Sequence, residues 1–296
     1  MKAIVPPSED PRTAAGLRHL LEEAGVRPER RWGQHFLIDR RVAAAIVDLV
    51  PPHADVIEIG PGAGALTVGL LERGQRVVAI ELDRRLVALL TRWQARFGHF
   101  RVVEGDAQTL SWATVARTWG LNAPVAIVGN LPYYATAPLL AKLWEDGVSW
   151  SRAVLMVQKE VADRVVAEPG TRRAGSLSVM VRWAGTVRKV LTVPPSAFFP
   201  PPEVHSAVVA VDHQLRPPVA LEALRWVVAA GFRYRRKMLR QALAQAGAAW
   251  GGTEFWSAWL EGQGIDPARR AESLTFAEWV RLAAALPAGP AAGRQT

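Results

Sequence analysis

The feature of this sequence that most constrains its fold is a series of short, largely apolar segments that alternate with helical patterns. The segments with the length of strands are Val56–Ile59, Val77–Ile80, Phe100–Val103, Val125–Val128 and Ala153–Val157. Intervening stretches such as Leu66–Leu71 and Leu86–Trp93 have the apolar spacing of helices. Strands that are apolar throughout are typical of a parallel sheet covered on both faces. The pattern therefore predicts an α/β fold with a Rossmann-like sheet.

The chain on either side of this repeat has a different pattern. Two further strands, Val187–Val193 and Ala207–Val211, have little helix between them and are expected to form a terminal hairpin. After a proline-containing linker at Asp212–Pro218, the helical segments are Leu221–Phe232, Arg236–Ala246, Phe255–Leu260 and Phe276–Leu286. We therefore expect a helical extension at 1–27, the α/β domain at 28–212, a small all-helical domain at 217–287 and a disordered tail at 288–296.

Composition limits the kinds of chemistry and the compartments that fit this chain. The 296 residues include no cysteine, which excludes disulfides, thiolate metal sites and cysteine nucleophiles and fits a reducing cytoplasm. Neither a signal peptide nor a membrane-spanning run is expected. With 36 basic and 27 acidic residues, the formal net charge is +9. Such an excess favours an anionic partner, most simply a nucleic acid.

A glycine-rich loop after the first strand indicates a cofactor site. In Glu58-Ile59-Gly60-Pro61-Gly62-Ala63-Gly64, the glycines allow close approach of a ligand and a tight turn into a helix. Gly60-x-Gly62-x-x-Ala65 also fits the dinucleotide fingerprint, with Glu81 placed to accept from a ribose, so an NAD-dependent dehydrogenase stays an alternative. Glycine at every second position and Asp106 after the third strand favour S-adenosylmethionine. Glu81, Asp106 and Asn130 end strands that share the carboxyl edge of the sheet, where ligands bind.

The tetrad Asn130-Leu131-Pro132-Tyr133 ends the apolar run Val125–Gly129 and indicates the reaction. The exocyclic amine of a base is a poor nucleophile because its lone pair is delocalised into the ring. The side-chain carbonyl of Asn130 and the main-chain carbonyl of Leu131 can accept its hydrogens, while Pro132 fixes φ and has no N–H to compete. Tyr133 offers a ring on which a flipped-out base can stack. The tetrad therefore predicts methylation of a base without a metal or a covalent nucleophile.

A run of cations in the C-terminal region predicts contact with RNA. Its members are Arg233, Arg235, Arg236, Lys237 and Arg240. On a continuous helix, all of these except Arg235 would share one face, and Leu239, Ala242 and Leu243 would point toward a core. Such a face suits an RNA backbone that is bound through phosphate and shape.

Motifs in a fixed order give the chain a specific resemblance. They are Gly33-Gln34-His35-Phe36-Leu37, the loop 58–64, Glu81-Leu82-Asp83, Glu104-Gly105-Asp106-Ala107, the tetrad, Val157-Gln158-Lys159-Glu160-Val161, Pro194–Phe198, Pro200–Ser206, Arg235–Arg240 and Arg270-Ala271-Glu272-Ser273-Leu274. From about Arg30 to Leu286 the chain resembles the KsgA/RsmA-type dimethyladenosine transferases. These enzymes methylate the amines of two adjacent adenines near the 3′ end of 16S rRNA. The resemblance implies an S-adenosylmethionine-dependent methyltransferase that acts on the small ribosomal subunit or its precursor, as a monomer away from membranes.

The resemblance also implies a role for individual residues. His35 and Leu37 would line the outer side of the cofactor, and Gly60, in the same loop as Gly62, would contact its methionine part. Glu81 would bind the ribose and Asp106 the adenine. Asn130 would connect the cofactor with the target amine. Phe198 would stack on the target base opposite Tyr133, so that the catalytic set is Asn130, Leu131, Pro132, Tyr133 and Phe198.

Some positions depart from the family pattern. Tyr134 stands where a polar residue is usual, Gln241 where asparagine is usual, and His35 where asparagine is the commoner choice. These departures affect fine substrate geometry more than the reaction.

Two further functions stay open: an Erm-type 23S rRNA adenine methyltransferase, which shares the catalytic half, and a non-catalytic RNA-binding protein of ribosome assembly.

Overall fold

A computed structural model describes residues 4–28 and 34–287 of this chain. The described residues form two compact units. The sheet unit runs to Ala162 and resumes at Thr186–His213. The helical unit contains Asp163–Gly185 and the described residues from Gln214 onward. The expected boundaries at 28–212 and 217–287 differ from this division because residues 163–185, which include a helix, cluster with the C-terminal helices.

The sheet unit is built on a 7-stranded mixed sheet of order β4-β3-β2-β5-β6-β9-β7. The strands are β1 Phe36–Leu37, β2 Val56–Ile59, β3 Val77–Glu81, β4 Phe100–Glu104, β5 Val125–Asn130, β6 Trp150–Gln158, β7 Gly185–Val193, β8 Phe198–Phe199 and β9 Ser206–His213. From β4 to β6 the neighbours pair in parallel, and β9 is antiparallel to β6. The predicted α/β fold and the adjacency of the last two sheet strands are thus confirmed. The short strands β1 and β8 form a separate antiparallel pair.

Helices accompany this sheet, and the last of them runs from the sheet unit into the helical unit. They are α1 Ala14–Glu23, α2 Arg40–Asp48, α3 Ala65–Glu72, α4 Arg84–Arg96, α5 Trp112–Thr118, α6 Thr136–Glu145 and α7 Lys159–Val165. Every residue of β2 and β3 is buried, as expected for strands covered on both faces. In α3, Ala65 to Leu71 are buried as well. The polar residues that end β3 and β5 are therefore held at a rigid edge.

The N-terminal segment belongs to the sheet unit and is not an appendage. Leu17, Leu20 and Leu21 of α1 lie in the same buried cluster as the sheet strands. Arg12 binds the carboxylates of both Asp10 and Glu72, the latter at 2.7 Å. The helical spacing therefore predicted α1 correctly, but it did not show which surface this helix covers.

The helical unit packs around tryptophan side chains. Its helices are α8 Ser176–Ala184, α9 Leu221–Arg233, α10 Leu239–Ala246, α11 Thr253–Gly262 and α12 Phe276–Ala284. Trp256 and Trp279 are fully buried, and a Cβ atom on Gly231 would meet the Trp279 ring at 2.6 Å. A glycine on α9 therefore permits close approach to α12. The tail expected at 288–296 lies outside the described residues.

Candidate active site

A cavity of about 440 Å³ lies in the sheet unit where β2, β3, β4 and β5 end. This volume is in the range of small-molecule sites. Most of the residues that were predicted to bind a cofactor or to act on a base line it: His35, Leu37, Gly60, Gly62, Glu81, Asp106, Asn130, Leu131, Pro132 and Tyr133. The residues from Gly60 to Tyr133 come together because the carboxyl ends of the parallel strands share one edge of the sheet.

The glycine loop forms one wall of this cavity. Gly62 has a φ of 59° and Gly64 a φ of 90°, in the left-handed region that favours glycine. A Cβ atom on Gly64 would lie 2.3 Å from the Trp93 ring, so a larger residue would clash there. Beside Gly60, by contrast, a Cβ atom would meet only the main-chain oxygen of Asn130, at 4.0 Å. The loop thus presents open main chain to the cavity at Gly60 and is packed tightly at Gly64.

Glu81 connects the end of β3 to the glycine loop. Its carboxylate accepts hydrogen bonds from the amides of Gly62 at 3.0 Å, Leu82 at 2.9 Å and Asp83 at 3.0 Å. Burial raises the pKa of Glu81, while these donors act in the opposite direction. The side chain is therefore fixed in place before any ligand binds. Asp83 caps α4 through the amide of Arg85.

Glu58 is a second buried carboxyl group at this edge. It is the first residue of the glycine-rich motif, but no role was predicted for it. It lines the cavity with only 1% of its surface exposed, and Thr67 Oγ1 donates to its Oε2 at 2.7 Å. Burial, reinforced by the charge of Glu81, raises the pKa of Glu58 to about 8. The apolar pattern around it predicted only a strand residue, and the desolvation that shifts its pKa depends on packing from α3.

Asp106 contributes both to a turn and to the cavity wall. Its Oδ1 accepts from the amide of Gln108 at 2.8 Å, so it orders the turn after β4. It also lines the cavity. The turn role and a ligand role are compatible, since a carboxylate has more lone pairs than this bond uses.

The tetrad is held by bonds that define which atoms can face a substrate. Asn130 Nδ2 donates to the main-chain oxygen of His35 at 3.0 Å. Because that oxygen can only accept, the amide nitrogen must face it, and the side-chain oxygen of Asn130 is left to act as an acceptor. The amide of Leu131 donates to Met156 at 3.0 Å, which anchors the tetrad on β6.

Tyr133 is held by its hydroxyl group and packs beside His35. The hydroxyl lies 2.9 Å from Ser206 Oγ, and its ring centroid is 5.7 Å from that of His35. Burial raises the pKa of the Tyr133 phenol, which keeps it neutral. His35 Nδ1 lies 2.7 Å from the oxygen of Pro200, so this nitrogen carries the proton. The two rings therefore form a fixed part of the cavity wall.

Phe198 is the predicted catalytic residue that the structure does not bring to the cavity. It pairs with Leu37 across β1 and β8, is only 3% exposed and lies in the main buried cluster. It is absent from the described lining of the cavity. Packing in the core explains this position, and stacking of Phe198 on a base stays a prediction.

Several lining residues had no signal in the sequence. Pro11 and Leu17 reach the cavity from the N-terminal segment. Tyr134 lines the cavity as well and is 55% exposed. The sequence marked Tyr134 only as a departure from a family pattern, and long-range packing brings Pro11 and Leu17 to this place.

The run of cations in the helical unit is not a single helical face, which corrects the expected helix Arg236–Ala246. Arg233 ends α9, a turn follows, and α10 begins at Leu239. The amide of Leu239 donates to the oxygen of Arg269 at 2.7 Å, so a main-chain bond from elsewhere in the unit sets the start of α10. Arg233, Arg236, Lys237 and Arg240 therefore do not align as on one helix.

These cations also differ in their partners. Arg235 Nη2 donates to the main-chain oxygens of Arg172 at 2.9 Å and Ala174 at 3.0 Å. Lys237 donates to Gln245 at 2.8 Å and, like Arg233, lies over the Tyr234 ring. Arg240 contacts the sulfur of Met238. The exposed side chain of Arg236 has no hydrogen bond or ion pair within the described part of the chain.

Comparison with known proteins identifies the family of this chain. The sequence model of the family described as ribosomal RNA adenine dimethylase matches residues 26–287. The chain belongs to the ribosomal RNA adenine dimethylase family. This membership confirms the predicted family, the enzyme class of rRNA methyltransferases and the cofactor S-adenosylmethionine, and it decides against a dehydrogenase.

Curated relatives of this dimethylase are similar over nearly their whole length. A protein of Magnetococcus marinus named ribosomal RNA small subunit methyltransferase A is 41% identical over 90% of this chain and 95% of its own. A protein of the same name from Syntrophotalea carbinolica is 43% identical over 87% of this chain and 96% of its own.

Solved structures confirm the fold of the dimethylase. A dimethyladenosine transferase from Plasmodium falciparum superposes with a TM-score of 0.68 at 23% identity, over 84% of this chain and 96% of that one. The 23S rRNA methyltransferase ErmE superposes with a TM-score of 0.62 at 24% identity, over 85% of this chain and 99% of that one. At these identities the likeness concerns the fold alone.

The cavity of this dimethylase fits S-adenosylmethionine. The open main chain at Gly60 admits a close ligand, and the buried carboxylate of Glu81 is already oriented at the end of β3. Asp106 lies farther along the same edge, after β4. Across residues 4–28 and 34–287, no group of three His, Asp or Glu side chains is arranged to hold a metal ion. None of the described helices is long and apolar enough to cross a membrane.

Proposed function

We propose that this protein transfers methyl groups from S-adenosylmethionine to the exocyclic amines of two adjacent adenines near the 3′ end of 16S rRNA. The product is dimethyladenosine, formed during assembly of the small ribosomal subunit. The observation that carries this proposal is the side-chain oxygen of Asn130, left as an acceptor at the edge of the cavity by the bond from its amide nitrogen to His35. The names of the relatives support the small subunit as the substrate.

The chain's own residues would orient the amine at the edge of the cavity. Asn130 and the main-chain oxygen of Leu131 accept its two hydrogens, which turns the nitrogen lone pair toward the methyl donor. Because both acceptors are fixed by bonds to His35 and Met156, little reorganisation is needed during transfer. Pro132 and Tyr133 complete the wall against which the base lies, and Phe198 is assigned the opposite face.

The cofactor-binding residues follow the order of the strands. Gly60 and Gly62 hold the methionine part, Glu81 accepts from the ribose, and Asp106 accepts from the adenine amine, with His35 and Leu37 on the outer side. When bound, S-adenosylmethionine supplies an electrophilic methyl group on a sulfonium. The amides of Gly62, Leu82 and Asp83 keep Glu81 oriented toward this role.

The RNA-binding part of the proposal rests on the helical unit. Arg233, Arg235, Arg236, Lys237 and Arg240 would serve RNA binding, with different contributions because their protein partners differ. A folded RNA surface in the assembling subunit, rather than a short oligonucleotide, suits a surface of separate cations. We also propose that the enzyme acts as a monomer in the cytoplasm.

The test is mass spectrometry of 16S rRNA after incubation with the protein and isotope-labelled cofactor. Small subunits that lack these methyl groups serve as the substrate, and the RNA is digested to nucleosides. Labelled dimethyladenosine in the 3′ region is expected at long times. If only monomethyladenosine accumulates, the assignment to a dimethylating enzyme is wrong.

The same experiment separates the two other functions. An Erm-type enzyme would label 23S rather than 16S rRNA, so free 23S rRNA is included as a second substrate. A non-catalytic assembly protein would bind the subunit without labelling it. The intact tetrad together with Glu81 and Asp106 at one cavity favours catalysis.

A further inference from the structure

We propose that a loop of the helical unit, residues 168–175, forms a second RNA-contacting segment, and that Arg235 positions this loop instead of binding phosphate itself. The proposal deepens the proposed function, because it rests on RNA as the substrate. It assigns roles to Arg172 and Arg173, which lie outside the run of cations at 233–240.

Arg235 is occupied by the loop. One nitrogen of its guanidinium donates to the main-chain oxygens of both Arg172 and Ala174, at 2.9 and 3.0 Å. Its Nε lies 3.8 Å from Glu272, so part of its charge is balanced within the unit. A guanidinium that is used in this way has fewer donors left for a phosphate. The two hydrogens of this nitrogen bridge the two carbonyl oxygens, while Nε faces Glu272.

The loop itself is ordered by its own bonds. The amide of Thr171 donates to the oxygen of Glu168 at 3.2 Å, and the amide of Ala174 donates to the oxygen of Thr171 at 2.9 Å. These bonds make two successive tight turns, with Arg172 and Arg173 between Thr171 and Ala174. Ala174 is only 1% exposed, which anchors the end of the second turn. The two arginines are therefore presented from a fixed backbone.

The charges of the loop are left available for an anion. Arg172 and Arg173 are exposed, and their side chains make no ion pair or hydrogen bond within the described residues. The acidic residue of the loop, Glu168, is paired with Arg182. Arg236 follows Arg235 directly and is likewise exposed without an ion pair in the described chain. Arg235 thus joins the loop that carries two exposed arginines to the segment that carries a third, which fits the phosphates of a folded RNA.

The experiment measures how binding of the full-length protein to unmethylated small ribosomal subunits depends on salt. The variant Arg172→Ala/Arg173→Ala should reduce the log–log slope by up to about two units, so that its loss of affinity between about 50 and 200 mM salt is roughly tenfold smaller than that of the parent. The matched control Arg18→Ala/Arg41→Ala removes two exposed arginines from the sheet unit and should leave the slope unchanged. An unchanged slope in the loop variant would overturn the RNA contact.

Arg235→Ala tests the positioning role because it removes both bonds to the loop. It should reduce the slope in the parent but add nothing in the Arg172→Ala/Arg173→Ala background, whereas Arg236→Ala should subtract about one unit in both backgrounds. Thermal unfolding confirms that each variant is folded. Equal, additive losses from Arg235→Ala in both backgrounds would show that Arg235 binds phosphate directly and would overturn its positioning role. Methyl transfer is measured separately at low salt, so failure of the proposed function is distinguishable from failure of this proposal.

Discussion

The carboxyl edge of the sheet and the run of cations at 233–240 are both rich in polar residues, but they were predictable from the sequence to different degrees. At the edge, Glu81, Asp106 and Asn130 line one cavity, as their positions after successive strands predicted. In the run of cations, the expected helix is interrupted by a turn, and neighbouring residues have unrelated partners. Backbone topology places the first set, whereas long side chains and a local main-chain bond decide the second.

The largest expected effect tests the edge of the sheet. Asn130→Ala removes the acceptor for one amine hydrogen and should raise the barrier by roughly 3–4 kcal/mol, or reduce turnover about 10²- to 10³-fold. Turnover is measured by transfer of labelled methyl groups to small subunits. Binding of S-adenosylmethionine, followed through tryptophan fluorescence, checks that the cavity persists.

Asn130→Asp makes the comparison sharper. The carboxylate keeps an acceptor oxygen but cannot donate to the oxygen of His35, so the orientation of the group is lost. We expect an intermediate loss of turnover. Activity near that of the parent in Asn130→Ala would show that Asn130 is not the acceptor.

The second prediction concerns the preorganised carboxylate of Glu81. Glu81→Gln keeps the shape of the side chain but replaces one oxygen with an amide nitrogen facing the donors of Gly62, Leu82 or Asp83. Loss of the charged hydrogen bond that Glu81 is proposed to accept from the ribose would cost about 1.5–3 kcal/mol. Affinity for S-adenosylmethionine should therefore fall roughly 10- to 100-fold. Isothermal titration with the cofactor measures this change. Gln108→Ala, on the same cavity, is the control, and equal affinities in the two variants would contradict a specific role for Glu81.

The difference between the sheet edge and the run of cations also indicates which features could be predicted from the sequence. Short, largely apolar segments predicted β2, β3 and β5 almost to the residue, because a covered parallel strand needs apolar side chains on both faces. The contribution of Pro11 and Leu17 to the cavity was not predictable, since it depends on where α1 packs. Phe198 was expected at the active site from its motif, but its burial in the core depends on the pairing of β1 with β8.

The third prediction tests the run of cations residue by residue. Arg236→Ala should reduce the salt slope for subunit binding by about one unit, since its exposed guanidinium has no ion pair in the described structure. Lys237→Ala should reduce it less, because Lys237 is already bound to Gln245 and lies over the Tyr234 ring. Affinity for S-adenosylmethionine should stay the same in both. Equal slopes for the two variants would mean that protein partners do not determine which cations contact RNA.

The last prediction returns to the edge of the sheet and concerns the pH dependence of stability without ligands. Burial raises the pKa of Glu58 from 4.5 to about 8, so between these values the folded protein binds more protons at this residue than the unfolded chain does. The free energy of unfolding therefore decreases as pH rises through this window, and the contribution of Glu58 is constant below and above it.

Glu58→Gln resembles the protonated group and can still accept from Thr67, so its unfolding free energy should depend less on pH than that of the parent. Urea unfolding at fixed ionic strength, at pH values across this window, gives both curves, and Glu72→Gln is a control on the same unit. The raised pKa of Glu81 contributes in the same direction in all three proteins, so it is the difference between the curves that reports on Glu58. Parallel curves for the parent and Glu58→Gln would show that Glu58 is ionised in the folded protein, and the two carboxyl groups of the cavity would then carry charge side by side.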